Sequence, residues 1–282
     1  MRKKVWFITG ASKGFGAILV HELLTKGEFV AASSRFVNQF DTHLIENSNF
    51  LPVEIKNLSD FEEVSNAVQI IKKKFRQIDV LVNNAGYGQV GIFEETSDEK
   101  IRQNFEVHVF GLLNVIKAVL PIMRVQKFGK IVNFSSTAGF FGFPLSSIYV
   151  AAKHAVDGFS ESLNHELNPL GIQVMSVLPG SFRTNFLSPG SLEWGDQNPI
   201  KDYDQLRDEQ KEGLISGDKK QIGDPKKGMD VLIQVIESNN MPQHLTLGED
   251  AYELREMKKN MLQEELDTWK ILASNTNFEN MN

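Results

Sequence analysis

Short apolar runs, alternating at least six times with stretches whose apolar residues recur at helical spacing, fix what this chain can fold into. Residues 78–82, IDVLV, are the clearest run. They are almost continuously apolar, as a parallel strand covered on both faces must be. Similar runs occupy residues 4–9 (KVWFIT), 29–33, 51–55, 130–134 and 172–178, and residues 244–247 make a last strand. Helical patterns fill residues 14–26, 60–76, 98–120, 147–167 and 225–236, with a modest one at 41–47. Ser97 before Asp98 and Glu99 suits a helix start, and Pro225 suits a first turn. The alternation predicts an α/β fold: a doubly wound, mostly parallel seven-stranded sheet with helices on both faces. Residues 1–250 are read as that domain. Within it, residues 186–224 hold five glycines, two prolines and many charges, and read as an inserted substrate loop with a helix near 202–212. Residues 251–282 read as a closing helix and tail packed on the same domain.

Composition narrows the function. The formal net charge of -6 gives no basic field for nucleic acid. The chain has no cysteine, which excludes disulfides, cysteine nucleophiles and thiolate metal sites and fits a cytoplasmic setting. Six histidines are scattered without metal-ligand spacing. No long uninterrupted apolar run is present, so no membrane span is expected. The start, MRKKVWFITG, passes straight into a glycine turn and does not read as a signal peptide.

Gly10-Ala11-Ser12-Lys13-Gly14-Phe15-Gly16 falls where the first strand meets the first helix. Glycines there allow a tight turn, and the helix start offers unpaired N–H groups to phosphate. The spacing is GxxxGxG. After the second strand come Ser34 and Arg35, where an acidic residue would pair with a free ribose 2'-hydroxyl. A guanidinium fork at Arg35 and an ammonium at Lys13 suit a 2'-phosphate instead. NADP(H) is therefore expected over NAD(H).

Residues 131–153, IVNFSSTAGFFGFPLSSIYVAAK, carry the candidate chemistry. Tyr149 and Lys153 are four apart on a helix and share a face. A serine hydroxyl at the end of the preceding strand can meet them. A phenol titrates near ~10, and a fixed cation beside it favours its ionised form. Such a trio suits proton exchange with a carbonyl or alcohol oxygen.

In order along the chain, TGASKGFG, Asn83-Asn84-Ala85-Gly86, the serines, YxxxK and Pro179-Gly180 with Thr184 resemble the classical short-chain dehydrogenase/reductase family. NNAGYG, the Phe-rich segment after Ser136 and LTLGEDA look most like its bacterial retinol- or hydroxysteroid-dehydrogenase-like subgroup. The resemblance implies Tyr149 as general acid or base, Lys153 as the group that lowers its pKa and binds the nicotinamide ribose, and Ser136 as the hydroxyl that orients the substrate. Asn84, Ala85, Gly86, Pro179, Gly180 and Thr184 would lie along the cofactor, and Asn57 and Leu58 beside adenine. His108 stands where the family has an asparagine that helps hold a relay water. Imidazole can still bind a water, or its larger ring can fill the water site and slow the proton.

Phe140, Phe141, Phe143, Phe182, Phe186 and Trp194 are candidates for the lining of an apolar substrate pocket. The expected activity is hydride transfer between nicotinamide and an apolar ketone, aldehyde or alcohol. A weakly active dinucleotide-binding regulatory or scaffold protein is the alternative. The resemblance implies a homodimer or homotetramer through the helices near 98–120 and 147–168; a monomer with the C-terminal helix over its surface is the other arrangement.

Overall fold

The structure is a computed structural model that describes residues 2–188, 190–195 and 198–278. Its strands are β1 (Val5–Ile8), β2 (Phe29–Ser34), β3 (Phe50–Glu54), β4 (Val80–Asn83), β5 (Gly88–Val90), β6 (Gly129–Phe134), β7 (Ile172–Pro179), β8 (Leu192–Trp194) and β9 (His244–Leu247). Its helices are α1 (Gly14–Thr25), α2 (Thr42–Ile45), α3 (Phe61–Phe75), α4 (Asp98–Phe105), α5 (Gly111–Gln126), α6 (Ser147–Leu167), α7 (Asp204–Gly217), α8 (Pro225–Glu237) and α9 (Glu249–Ala273).

Seven strands form one parallel sheet in the order β3-β2-β1-β4-β6-β7-β9. The fold class expected from the alternation is the one observed. The chain winds outward from β1 to β3, then restarts at β4 on the other side of β1. That reversal opens a crevice above the carboxyl ends of β1 and β4, where ligands of such sheets bind.

Alternation along each strand divides the core. Trp6 and Ile8 face one apolar layer, built with Leu19 and Leu23 of α1 and Leu232 and Ile233 of α8. Phe7 faces the other, built with Val68 and Ile71 of α3, Ile116 and Val119 of α5 and Val156 of α6. Burial on both faces explains why the central strands carry no polar alternation.

Residues 98–126 form one continuous helical run, longer than the expected 98–120. Pro121 lies inside α5 without ending it, because Ile122 and Met123 beyond it are buried against the sheet. By length and composition this run is apolar enough to cross a bilayer. Here its stripe of Leu112, Val115, Ile116 and Val119 is packed in the core. Glu106–Phe110, between α4 and α5, is a π turn. β5 and β8 form a separate two-stranded parallel sheet that the sequence patterns did not predict.

Candidate active site

The glycine turn follows β1 directly. Gly10 has φ +62°, and a Cβ there would stand 2.6 Å from the Ala85 Cα. Gly14 has φ +58°, and a Cβ there would meet nothing within 4 Å, so the turn faces open space. Lys13 precedes α1 without a side-chain cap. The leading amides, from Gly14, Phe15 and Gly16, therefore keep the open donors and positive dipole end of a helix start. An open helix start behind a glycine turn fits the pyrophosphate of a dinucleotide.

Asn84 fixes this turn. Its Nδ2 donates to Thr9 O at 3.0 Å and to Gly10 O at 2.9 Å. Thr9 Oγ1 in return accepts from the backbone N–H of Asn84 at 3.1 Å and of Ala85 at 3.2 Å. The side chain of Asn84 is thus spent on locking β1 to β4. Asn83 Nδ2 donates to Asn133 Oδ1 at 2.9 Å, and Asn133 Nδ2 to Ser160 Oγ at 2.9 Å, tying β4, β6 and α6 together beneath the crevice.

The serine pair after β6 divides its work. Ser135 Oγ donates to Lys153 O at 2.9 Å and is buried. Ser136 Oγ accepts from Ala138 N at 3.2 Å and is hydrogen-bonded to the Tyr149 side chain. α6 carries Tyr149 and Lys153 on its inner face, both buried. Lys153 Nζ donates to Phe134 O at 2.8 Å and lies 5.6 Å from the Tyr149 ring centroid. Ser136, Tyr149 and Lys153 are therefore brought together.

Electrostatics here depart from the expected depression of the Tyr149 pKa. Burial pushes the phenol above its ordinary value, and the Ser136 hydrogen bond only partly offsets it. Burial also pulls the Lys153 amine down to about 7. The desolvation of the buried phenol thus outweighs the ammonium beside it.

His108 sits in the π turn, fully enclosed. Its Nε2 is 2.8 Å from Tyr87 O and 3.3 Å from Tyr87 N, and its ring packs edge-on to Tyr149 with centroids 5.5 Å apart. Burial, with Lys153 nearby, holds its pKa well below the ordinary value, so the ring is neutral. With Nε2 donating to the closer Tyr87 carbonyl, Nδ1 is left as an acceptor, and it has no partner among the described residues. A cavity of about 10 Å³ is bordered by His108, Lys153, Asn83, Thr9 and Phe134. The Asn83 Oδ1 is also without a partner among the described residues.

At the far end of the crevice, Ser34 is buried and donates to Phe36 O at 2.6 Å. Arg35 is exposed, close enough to Lys13 for its charge to act on that amine. Lys13 Nζ donates to Ser191 Oγ at 2.6 Å. Asn57 Oδ1 accepts from Ser59 N at 3.0 Å, and Asn114 Nδ2 donates to Leu58 O at 3.0 Å, which holds the Asn57-Leu58 turn on α5. Pro179-Gly180 is braced from α9, where Asp250 Oδ2 accepts from Ser181 N at 2.6 Å. Thr184 Oγ1 accepts from Phe186 N at 3.2 Å.

The candidate pocket aromatics separate. Phe186 is beside Tyr149, with ring centroids 6.0 Å apart. Phe141 and Phe143 contact each other at 5.3 Å. Phe140 is buried under Arg255 of α9. Phe182 is a core residue, not a pocket wall. It lies 5.3 Å from Phe15 and sits over Gly223, Gly228 and Gly248, three glycines that leave room for its ring. Trp194 joins a satellite cluster with Val90, Ile92, Leu145 and Leu214.

Residues missed by the sequence patterns hold the loop. Glu95, nearly buried, pairs with Arg207 of α7 and accepts from Ile200 N at 2.8 Å. Lys100 Nζ donates to Trp194 O at 2.8 Å. No local pattern marks such partners, which are about a hundred residues apart in sequence.

The family model described as short chain dehydrogenase matches residues 4–192. The 3-ketodihydrosphingosine reductase of Bacteroides thetaiotaomicron is 38% identical over 186 residues, 66% of this chain and 66% of that protein. A short-chain dehydrogenase from Streptomyces avermitilis superposes with a TM-score of 0.89 at 33% identity, covering 98% of this chain and 100% of that one. The structure of ElxO with NADP bound gives a TM-score of 0.69 at 27% identity, covering 86% and 96%.

Proposed function

This chain belongs to the short-chain dehydrogenase family, and on that premise we propose an NADP(H)-dependent oxidoreductase acting on an apolar ketone, aldehyde or alcohol. The observation that carries the reading is the convergence of Ser136, Tyr149 and Lys153 beside an open, glycine-lined helix start. When bound, NADP(H) gives or takes the hydride. The chain itself holds the substrate oxygen and moves a proton. Tyr149 delivers the proton in reduction and removes it in oxidation. Ser136 donates to the same oxygen as charge develops there. Lys153, whose amine now donates to Phe134 O beside the phenol, would bind the nicotinamide ribose.

Gly10, Ser12, Gly14, Phe15 and Gly16 cradle the pyrophosphate in this reading, and Lys13 and Arg35 take the 2'-phosphate. Ser34, Asn57 and Leu58 flank the adenosine. Ala85, Gly86, Pro179, Gly180 and Thr184 border the rest of the cofactor, with Asn84 holding the turn. The likeness to ElxO with NADP bound supports the cofactor. His108 retains the proton relay: its Nδ1, Lys153 and Asn83 border a cavity the size of one water.

The retinol- or hydroxysteroid-like subgroup reading extends this to a long-chain or cyclic apolar substrate. Phe186 beside Tyr149 supports it, as does the likeness to a 3-ketodihydrosphingosine reductase. Residues 186–224 form the loop over that substrate within one domain spanning residues 1–250. A homodimer or homotetramer would cover the exposed Phe110 and Val125 of the π turn and α5; light scattering after size-exclusion chromatography measures it.

Purified protein incubated with NADPH and a panel of long-chain and cyclic ketones and aldehydes tests the activity. Turnover with at least one substrate, lost in Tyr149→Phe while NADPH still binds, is the expected result. A Tyr149→Phe protein that keeps native turnover would remove the phenol from the chemistry.

A further inference from the structure

The ammonium that the cofactor phosphate needs is already in use. Lys13 Nζ donates to Ser191 Oγ at 2.6 Å and to Gly190 O at 3.2 Å. Ser191 is nearly buried, and its carbonyl accepts from Gly88 N at 2.8 Å. β8, which begins at the next residue, pairs with β5, and β5 begins two residues after Gly86. The segment 190–194 thus runs from the glycine turn to the strand that continues from Asn84-Ala85-Gly86. It bridges the two walls along which a dinucleotide lies.

We propose that Ser191 is a determinant of cofactor affinity and choice: its hydroxyl competes with the ribose 2'-phosphate for the Lys13 ammonium. A dinucleotide carrying that phosphate draws Lys13 away and frees the segment 190–194. One lacking it leaves the bond in place. This rests on the cofactor reading given above.

Three observations support the competition. A hydroxyl and a peptide carbonyl are neutral partners, whereas a phosphate oxygen adds the attraction of its charge to the ammonium's hydrogen bond. Burial lowers the Lys13 amine's pKa, and the charge of Arg35, close enough to repel it, lowers it further. An anion between the two cations relieves both effects. Arg35 forms no ion pair among the described residues and is free to join the same phosphate.

Titration calorimetry with NADP+ and with NAD+, on the native protein, Ser191→Ala and Lys13→Met, tests the proposal. Removing the competitor should tighten NADP+ binding about three- to tenfold in Ser191→Ala, as expected for one hydrogen bond, and leave NAD+ within about twofold. Lys13→Met should weaken NADP+ about tenfold or more and leave NAD+ little changed. Amide hydrogen exchange of residues 190–194 should rise with NADP+ but not with NAD+, and should already be raised in free Ser191→Ala.

Unchanged NADP+ affinity in Ser191→Ala would overturn the proposal. So would weaker binding, which would make Ser191 a phosphate ligand and not a competitor. Native protein that holds NAD+ as tightly as NADP+ would remove the cofactor reading itself, and the proposal with it. NADP+ preference with an unaltered Ser191→Ala removes the proposal alone.

Discussion

His108 lies directly against Gly86: a methyl group added at Gly86 would stand 2.7 Å from His108 Cε1 and 3.0 Å from its Nδ1. The close approach places an imidazole beneath the Gly86 backbone. Gly86→Ala should therefore drive the ring toward Tyr149 and destabilise the fold by about 1–3 kcal/mol, the usual cost of overpacking. Combining it with His108→Asn, a smaller side chain, should recover part of the loss. Denaturant unfolding of the two single variants and the double variant measures the coupling. Strict additivity would mean that the two residues do not share the space.

Replacing His108 also tests the proposed proton relay. One nitrogen now faces both the N–H and the carbonyl of Tyr87, and it can serve only one at a time. An asparagine amide can accept from one and donate to the other. His108→Leu offers neither and also loses the acceptor at the cavity. Turnover should fall about tenfold or more in His108→Leu, as for loss of a proton-transfer partner, and stay at or above the native rate in His108→Asn. Equal rates in all three proteins would mean that the proton takes another path.

The sheet and most helices were legible because burial on both faces demands continuous apolar strands. The patterns at residues 147–167 and 244–247 coincide with the bounds of α6 and β9. What escaped depends on contacts between distant segments. β5 and β8 are three residues each, too short for a periodic signal, and exist because they pair with each other. The π turn has no sequence signature; it carries His108 to the Tyr87 backbone. Phe182 was indistinguishable in sequence from Phe186, yet three glycines from other segments give it a core slot. The expected depression of the Tyr149 pKa considered only the cation, whereas desolvation of the phenol is larger.

Lys153 makes stability depend on pH in a set direction. Its amine titrates at about 7 in the folded protein and near 10.5 when unfolded. Between those values the unfolded chain binds more protons, so stability rises with pH. Below 7 the amine is charged in both states, and the cost of burying that charge is fully present. Tyr149 acts the other way only above its unfolded value of 10, where the folded phenol keeps its proton longer. Melting temperature should therefore climb from pH 7 toward pH 10, and less steeply in Lys153→Met. Lys130, whose amine is also lowered by burial, keeps part of the slope in that variant. An identical profile in Lys153→Met would mean that Lys153 is not the source.

The pair that holds α7 should behave as a clasp on the loop, separable from the fold. Glu95 lies in the short turn after β5 and is almost completely covered by Arg207, Ile200 and their neighbours. Arg207 also reaches Asp204 at 2.7 Å, and Tyr203 donates to Glu94 at 2.9 Å, but the first of these bonds is local and both are solvent-facing. Glu95→Gln keeps the shape and removes the charge. The loop should then open: proteolysis within residues 198–217 should quicken about tenfold, KM for an apolar substrate should rise more than kcat falls, and the melting temperature should move little. The Arg207 hydrogen bond holds the Glu95 pKa below the ordinary carboxylate value. The clasp is therefore intact at neutral pH and is lost only as pH falls through that lowered value. Native protein should show the same proteolytic opening in acid, while Glu95→Gln, already open, should show no further acid step. An acid step of equal size in both proteins would place the titrating group elsewhere.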